Sequence, residues 1–251
     1  MLPLKDLVRN TELETLFFDS DWMRKIENPW KLLALAKRAL DKSLGEISDA
    51  AQIEKSVTLV GPVCIGPGTK ITGASYIVGP VYIGSNCILG PNCFIRPHSI
   101  LADEIIIGYN CYVTDSLICS KTGIFHFCGI SRSIVGQNCM ITSYSQTASV
   151  RQSQKNVMVK VGEKLVDTGL EKFGCVIGPN THIGTHTLIL PGRLIGNNCR
   201  IGSHLIISRN IPDNTSVTAI QQEQTQEIKE IEKLDFPIPK IHVAEEKDNE
   251  N

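Results

Sequence analysis

The chain has 251 residues, of which 42% are hydrophobic, 20% charged and only 6% aromatic, and its formal net charge is -1. That length and apolar share suffice for one or two domains with a buried core. Near-neutral charge without a lysine- or arginine-rich block argues against nucleic acid and against an anionic membrane surface as partners.

The leading decapeptide MLPLKDLVRN places Asp6 early and has no long apolar run, so it does not read as a signal peptide, and the protein is expected in the cytoplasm. The first predicted element is a helix over residues 28–44, NPWKLLALAKRALDKSL. Asn28 stands at the cap and Pro29 follows it. Leu32, Leu33, Leu35, Ala36, Ala39 and Leu40 fall on one helical stripe, which predicts an amphipathic helix packed beside the first coil of the repeat region downstream.

From Leu59 the chain repeats every six residues, a period no helix has. Ile65, Ile71, Ile77, Ile83, Leu89, Ile95, Leu101, Ile107, Val113, Cys119 and Phe125 continue the series, apolar at every step. The 25 residues between Lys70 and Arg96 carry no charge, the length of a membrane span. Gly73, Gly79, Gly84, Gly90, Pro80, Pro91, Asn86 and Asn92 break that stretch into turns, so no span is expected. Four residues after the apolar position a slim residue recurs: Thr69, Ser75, Cys87, Cys93, Ser99, Cys111, Thr181, Thr187 and Cys199. Both positions are expected to point inward.

Residues 145–173 interrupt the phase with Arg151, Lys155, Lys160, Lys164 and Lys172, as an arm reaching over a neighbouring subunit would. A second run, Ile177, Ile183, Ile189, Ile195, Ile201 and Ile207, then repeats the rule. Residues 221–234 alternate Gln, Glu and Lys around Ile228 and Ile231, which predicts at most a short solvated helix, and the acidic ending from Glu245 is expected to be disordered. The organisation predicted is an N-terminal segment with its helix over 1–50, a repeat domain over 51–218 and a polar tail over 219–251.

The six-residue period with an aliphatic residue and a following turn resembles the hexapeptide repeat of left-handed parallel β-helices, in which three short strands make one triangular coil. The expected fold is therefore mainly β. One coil cannot bury its own apolar positions, whereas coils stacked at about 4.8 Å pair their backbones and share a core. Columns should lie eighteen residues apart: Leu59, Ile77, Ile95 and Val113 in one, Ile65, Ile83, Leu101 and Cys119 in another.

The nine cysteines are an odd number, and four of them occupy the slim inward position. They read as reduced core residues packing as small hydrophobes, not as a disulfide framework. His182 and His186 are spaced H-x3-H, and His186 and His204 stand eighteen apart, hence stacked on neighbouring coils. A metal needs three or four convergent ligands, so no metal site is expected.

Three stretches carry a closer resemblance: IGYNCYVTDSLICSKTGIFHFCGISRSIVG (107–136), VMVKVGEKLVDTGLEKFGCVIGPNTHIG (157–184) and ILPGRLIGNNCRIGSHLIISRNIPDN (189–214). The region over 90–217 resembles the acetyltransferase domain of archaeal-type bifunctional sugar-1-phosphate nucleotidyltransferase and N-acetyltransferase enzymes, members of the hexapeptide-repeat acyltransferases. ENPWKLLALAKRAL (27–40) is similar to the linker helix that precedes that domain. The nucleotidyltransferase domain has no counterpart here, so pyrophosphorylase activity is not expected.

The resemblance implies acetyl-CoA as co-substrate, an amino-sugar phosphate as acceptor, and a homotrimer with sites between subunits. The family's catalytic histidine falls on His126, which would take a proton from the attacking amine, and its phosphate-binding arginine falls on Arg96. Arg132 and Arg151 are further candidates for the phosphate. Coenzyme contacts fall on Ser143, Thr185 and Ser203. The sequence departs from the family at Thr114 (a lysine), Gly129 (a tyrosine), Arg132 (an aspartate) and Met140 (an asparagine). Two readings stay open: an N-acetyltransferase, or a catalytically silent trimeric β-helix serving as scaffold or as partner of a separate nucleotidyltransferase. His126 accordingly reads as a general base or as a structural residue wedged between Phe125 and Phe127.

Overall fold

The computed structural model describes residues 11–43, 45–220 and 225. Among them the hexads form strands of two or three residues that stack into three parallel sheets, the faces of a left-handed β-helix. Face A runs through eight strands from Glu46–Ile47 to Arg193–Ile195. Face B has nine, from Gln52–Ile53 to Ser216–Val217, and face C has eight, from Thr58–Val60 to Ile206–Ile207. The expected column Leu59, Ile77, Ile95, Val113 is present in face C. Ile65, Ile71, Ile77, Ile83, Ile177, Ile183 and Ile195 are wholly buried, each worth about 1.5–3 kcal/mol of burial.

The slim inward residues do more than fill space. Thr69 Oγ1 donates to the Gly84 carbonyl at 2.6 Å, Cys87 Sγ to Ala102 O at 3.1 Å, Cys93 Sγ to Gly108 O at 3.0 Å and Thr181 Oγ1 to Gly196 O at 2.8 Å. Each satisfies a corner carbonyl of the next coil that would otherwise be buried without a partner. The glycine after many aliphatic positions allows close stacking: a Cβ on Gly184 would lie 2.5 Å from the Gly202 carbonyl carbon.

The eighteen-residue rule fails at two coils. Leu101 pairs with Ile118, not Cys119, and Ile107 pairs with Ile124, not Phe125. One residue is missing where face C turns into face A, at Thr114-Asp115-Ser116 and again at Ser131-Arg132-Ser133. Asp115 and Arg132 there adopt left-handed φ of 49° and 46°. Register steps of seventeen result, as in Ile100 to Leu117 to Ile134. Cys119 consequently points outward from face A, and its thiol donates to Leu16 O at 3.5 Å.

Face A is covered by the N-terminal helices. Helix α1 (Thr11–Phe18) and α2 (Trp22–Lys25) were not foreseen from sequence, and α3 (Lys31–Leu40) begins three residues after the expected Asn28 cap. Over Asn28 and Pro29 the chain makes a tight turn instead, with the Lys31 N–H bonded to the Asn28 carbonyl at 3.0 Å. Leu44 lies outside the described residues. Leu13, Leu16, Trp22, Trp30, Leu32, Ala36 and Leu40 pack with outward residues of face A from Cys64 to Val176, so the cover spans several coils, not only the first.

The inserted arm starts later than expected. Gln146–Thr147 is still a face C strand, and the chain leaves the coil only near Val150. Its antiparallel hairpin, Met158–Val161 with Lys164–Asp167, then folds back on its own chain. Val157, Val159 and Phe173 are buried in the helix cluster, where Phe173 meets the Trp30 ring edge-on at 6.4 Å. The predicted tail helix over 221–234 and the acidic ending lie outside the described residues, apart from Thr225.

Candidate active site

The corner between faces B and C gathers four of the predicted residues. The amide of Tyr144 binds the His126 carbonyl, that of His186 binds Ser143 O, and that of His204 binds Thr185 O. His126, Ser143, Thr185 and Ser203 therefore occupy one column on successive coils. Three coil steps at about 4.8 Å separate its ends by roughly 14 Å. Ser203 is exposed, and the other three are partly exposed. Their hydroxyls and the adjoining backbone offer donors and acceptors along a shelf of small side chains, and this chemistry fits the amide and hydroxyl groups of a pantetheine arm. Thr185 Oγ1 also donates to Thr142 Oγ1 at 3.1 Å, so it is already held in place.

His126 is not wedged between its neighbours in sequence. The seventeen-residue step sets it under Tyr109, whose ring it stacks on at 3.9 Å, while Phe125 meets it edge-on at 6.2 Å. The Tyr109 N–H donates to His126 Nδ1 at 3.2 Å. In the neutral ring that bond places the proton on Nε2, so His126 presents a donor outward in this rotamer. Phe127 stacks instead on Tyr144 at 4.8 Å, Tyr144 on His186 at 4.6 Å and His186 on His204 at 5.0 Å. The His186–His204 stack agrees with the sequence expectation. The roles of Tyr109 and Tyr144 were missed, because a uniform period of eighteen sets Tyr109 over Phe127 and not over His126.

Beneath this corner two thiols face the core. Cys111 Sγ donates to Phe125 O at 2.8 Å and Cys128 Sγ to Thr142 O at 3.2 Å. Hydrogen bonding between them lowers the pKa of Cys111 and raises that of Cys128, and burial pushes both upward. All nine cysteines are buried free thiols, and among the described residues no three His, Cys, Asp or Glu side chains converge as metal ligands.

The predicted phosphate anchors stand elsewhere. Arg132 lies at the corner between faces C and A, five residues along the coil from Phe127, which is about 16 Å of extended chain. Its Nε is 3.4 Å from Asp115 Oδ2. Arg96 is two coils earlier on the same edge, exposed and over the Phe94 ring at 5.7 Å. Arg151 is at the root of the arm and donates to Asn156 O at 2.8 Å. The structure thus unites His126 with the three coenzyme candidates and holds the three arginines across face C from them.

The departing positions also have a physical account. Gly129 is covered by Tyr112, whose hydroxyl donates to Gln146 Oε1 at 2.9 Å, and a Cβ on Gly129 would meet Tyr112 Cζ at 2.2 Å. Thr114 belongs to the strand Tyr112–Thr114, and Met140 lies outward on face B beside His182.

Two family models match: the GMPPB C-terminal domain over 77–167 and the bacterial transferase hexapeptide (six repeats) over 174–209. An uncharacterized acetyltransferase, YaiX, of Escherichia coli O6:K15:H31 is 33% identical over 192 residues, covering 76% of this chain and 80% of the relative. The chain belongs to the hexapeptide-repeat acyltransferase family. The bifunctional protein GlmU of Methanocaldococcus jannaschii is 31% identical over 214 residues, 85% of this chain and 52% of that protein. A bifunctional sugar-1-phosphate nucleotidylyltransferase/acetyltransferase of Sulfurisphaera tokodaii is 30% identical over 205 residues, 82% of this chain and 51% of that one. The chain spans about half the length of these two archaeal relatives. Among the described residues no helix is long and apolar enough to cross a membrane.

Proposed function

We propose that this chain transfers the acetyl group of acetyl-CoA to the amine of an amino-sugar phosphate of the glucosamine-1-phosphate kind, as a cytoplasmic homotrimer. The observation that carries the reading is the column of His126, Ser143, Thr185 and Ser203, an imidazole in line with three hydroxyl-bearing residues on one edge. Relatives named for acetyl transfer and for sugar-1-phosphate chemistry support the acceptor class.

Acetyl-CoA supplies the acyl group as a thioester. The acceptor amine forms the C–N bond as the C–S bond breaks, and His126 takes the amine proton and returns it to the departing sulfur. For this the ring turns about χ2 away from the Tyr109 N–H, which frees the nitrogen lone pair now engaged. Ser143, Thr185 and Ser203 orient the coenzyme along the edge. Arg96, Arg132 and Arg151 hold the phosphate by charge-assisted hydrogen bonds. Because they stand across face C from His126, the reading assigns base and anchors in one site to neighbouring copies in the trimer.

The second reading, a silent trimeric scaffold or partner of a separate nucleotidyltransferase, is favoured by two contacts: the Tyr109 N–H on His126 Nδ1 and the Tyr112 ring over Gly129. A screen of amino-sugar phosphates with acetyl-CoA, following free CoA by chromatography, decides between them. Turnover is expected. Its absence with every acceptor and acyl donor tried selects the scaffold. Light scattering should give three times the 27.6 kDa chain mass.

A further inference from the structure

The root of the arm brings basic residues together from separate segments. Val150 bridges Lys172 in antiparallel fashion, Gly174 donates its N–H to the Arg132 carbonyl, and Gly192 donates to the Gly174 carbonyl. Arg151, Lys172 and Arg193 thus lie at or next to these paired residues, on adjoining stretches of backbone. Arg193 Nε donates to Pro191 O at 3.2 Å and its Nη1 to Ser208 O at 2.8 Å, which brings the next arginine, Arg209, alongside. Arg151 is tethered by one bond to Asn156 O.

Among the described residues these charges lack counter-charges. Among the described residues the pairs along this edge are Arg132 with Asp115 and, when the imidazole is protonated, His98 with Asp41, and neither Arg151, Lys172, Arg193 nor Arg209 has a carboxylate within pairing distance. Arg151 and Arg193 are partly buried. Burial first, and then the neighbouring Arg151 guanidinium, lower the pKa of Arg193. Two partly buried guanidinium groups on segments that the Val150–Lys172 bridge and the Gly192–Gly174 bond bring together, each with donors to spare after its backbone bonds, are an unfavourable arrangement by themselves and a favourable one around a dianion.

We infer that Arg151 and Arg193 form a two-guanidinium clamp for a phosphomonoester dianion at the arm root, with Arg209 at its rim. The planar forks suit a phosphoryl group, which accepts two parallel hydrogen bonds from each. A phosphomonoester is carried both by a sugar phosphate and by the 3′-phosphate of CoA, and the chemistry of the clamp is the same for either. The inference adds Arg193, which the proposed mechanism does not use, and concerns binding alone, so a protein without turnover leaves it intact.

Calorimetric titration of the full chain at fixed ionic strength tests it, with inorganic phosphate, glucosamine-1-phosphate, CoA and dephospho-CoA as probes. Arg151→Gln and Arg193→Gln should each raise the Kd of a phosphomonoester probe about tenfold or more. The double variant should be far less than additive, because both groups serve one ligand. A preference for CoA over dephospho-CoA that vanishes in both variants supports the clamp with the coenzyme as source. Weakening confined to inorganic phosphate and glucosamine-1-phosphate supports it with the sugar phosphate as source. Because Arg193 also holds Ser208 O, Arg193→Lys, which keeps the charge but not the fork, serves as a second variant, expected to lower the melting temperature less than Arg193→Gln while still binding the probes more weakly than wild type. Unchanged Kd values in the Arg151 and Arg193 variants overturn the inference. So does equal weakening by Lys164→Gln on the exposed hairpin, which would mark a diffuse charge effect.

Discussion

Replacing His126 with alanine separates chemistry from packing. The change removes the acceptor of the Tyr109 N–H and the ring stacked at 3.9 Å on Tyr109. The hydrogen bond is worth about 0.5–1.5 kcal/mol and the ring pair about 0.5–1.5 kcal/mol, so the fold should lose about 1–3 kcal/mol. For a chain of this length that lowers Tm by about 2–4 °C per kcal/mol. If His126 is the base, kcat/KM for acetyl transfer should fall about 10²- to 10⁴-fold at a temperature well below the melting transition. Tyr109→Leu is the companion variant: it removes the stacking but keeps the imidazole and the backbone N–H, so it should cost stability while leaving turnover within about tenfold. The assay pairs thermal melting with chromatographic measurement of CoA. A His126→Ala protein that melts lower yet turns over at the wild-type rate refutes the base assignment and leaves His126 a structural partner of Tyr109.

The core and the cover yield further expected outcomes. Burial pushes the thiol of Cys87 up to about 11 and those of Cys93, Cys139 and Cys175 up to about 12, so the folded state keeps protons that the unfolded chain gives up near pH 9. Their contribution is complete below pH 9 and is lost as pH rises from about 9 to 12. Denaturant melts should show that loss, and a thiol reagent at pH 8 should label the native chain slowly but all nine cysteines once it is unfolded; rapid native labelling of several would contradict the buried placement. Phe173→Ala, which opens a cavity beside Trp30 where the arm docks, should cost about 3–5 kcal/mol and expose the hairpin to protease. Wild-type stability there would mean that the arm does not pack on its own helices.

The sequence by itself determined the architecture. A six-residue period fixes which side chains face inward, since a coil of three short strands can bury its aliphatic positions only by stacking on the next. Ile65, Ile83 and Ile177 had no alternative but the core, and Thr69 and Cys93 were legible as slim inward residues although their bonds to the next coil's carbonyls were not. The column of Ser143, Thr185 and Ser203 was half legible: Thr185 and Ser203 obey the eighteen-residue step, whereas Ser143 precedes the arm. What the sequence could not settle was register after Leu101. Left-handed backbone at Asp115 and Arg132 does not mark the shortened corners, because full-length corners share it at His98, Glu104 and Asn110, so the hexad pattern does not show where one residue drops out. That single-residue slip stacks Tyr109 on His126 where a step of eighteen would set it over Phe127, and turns Cys119 from the core to the helices. The arm and the N-terminal cover were illegible for the same kind of reason. Trp30 meets Phe173, and Leu16 meets Cys119, across more than a hundred residues, and an apolar stripe specifies that it must be buried without naming the surface that buries it. Only the tertiary structure decided that face A receives both, leaving the corner between faces B and C free to carry His126.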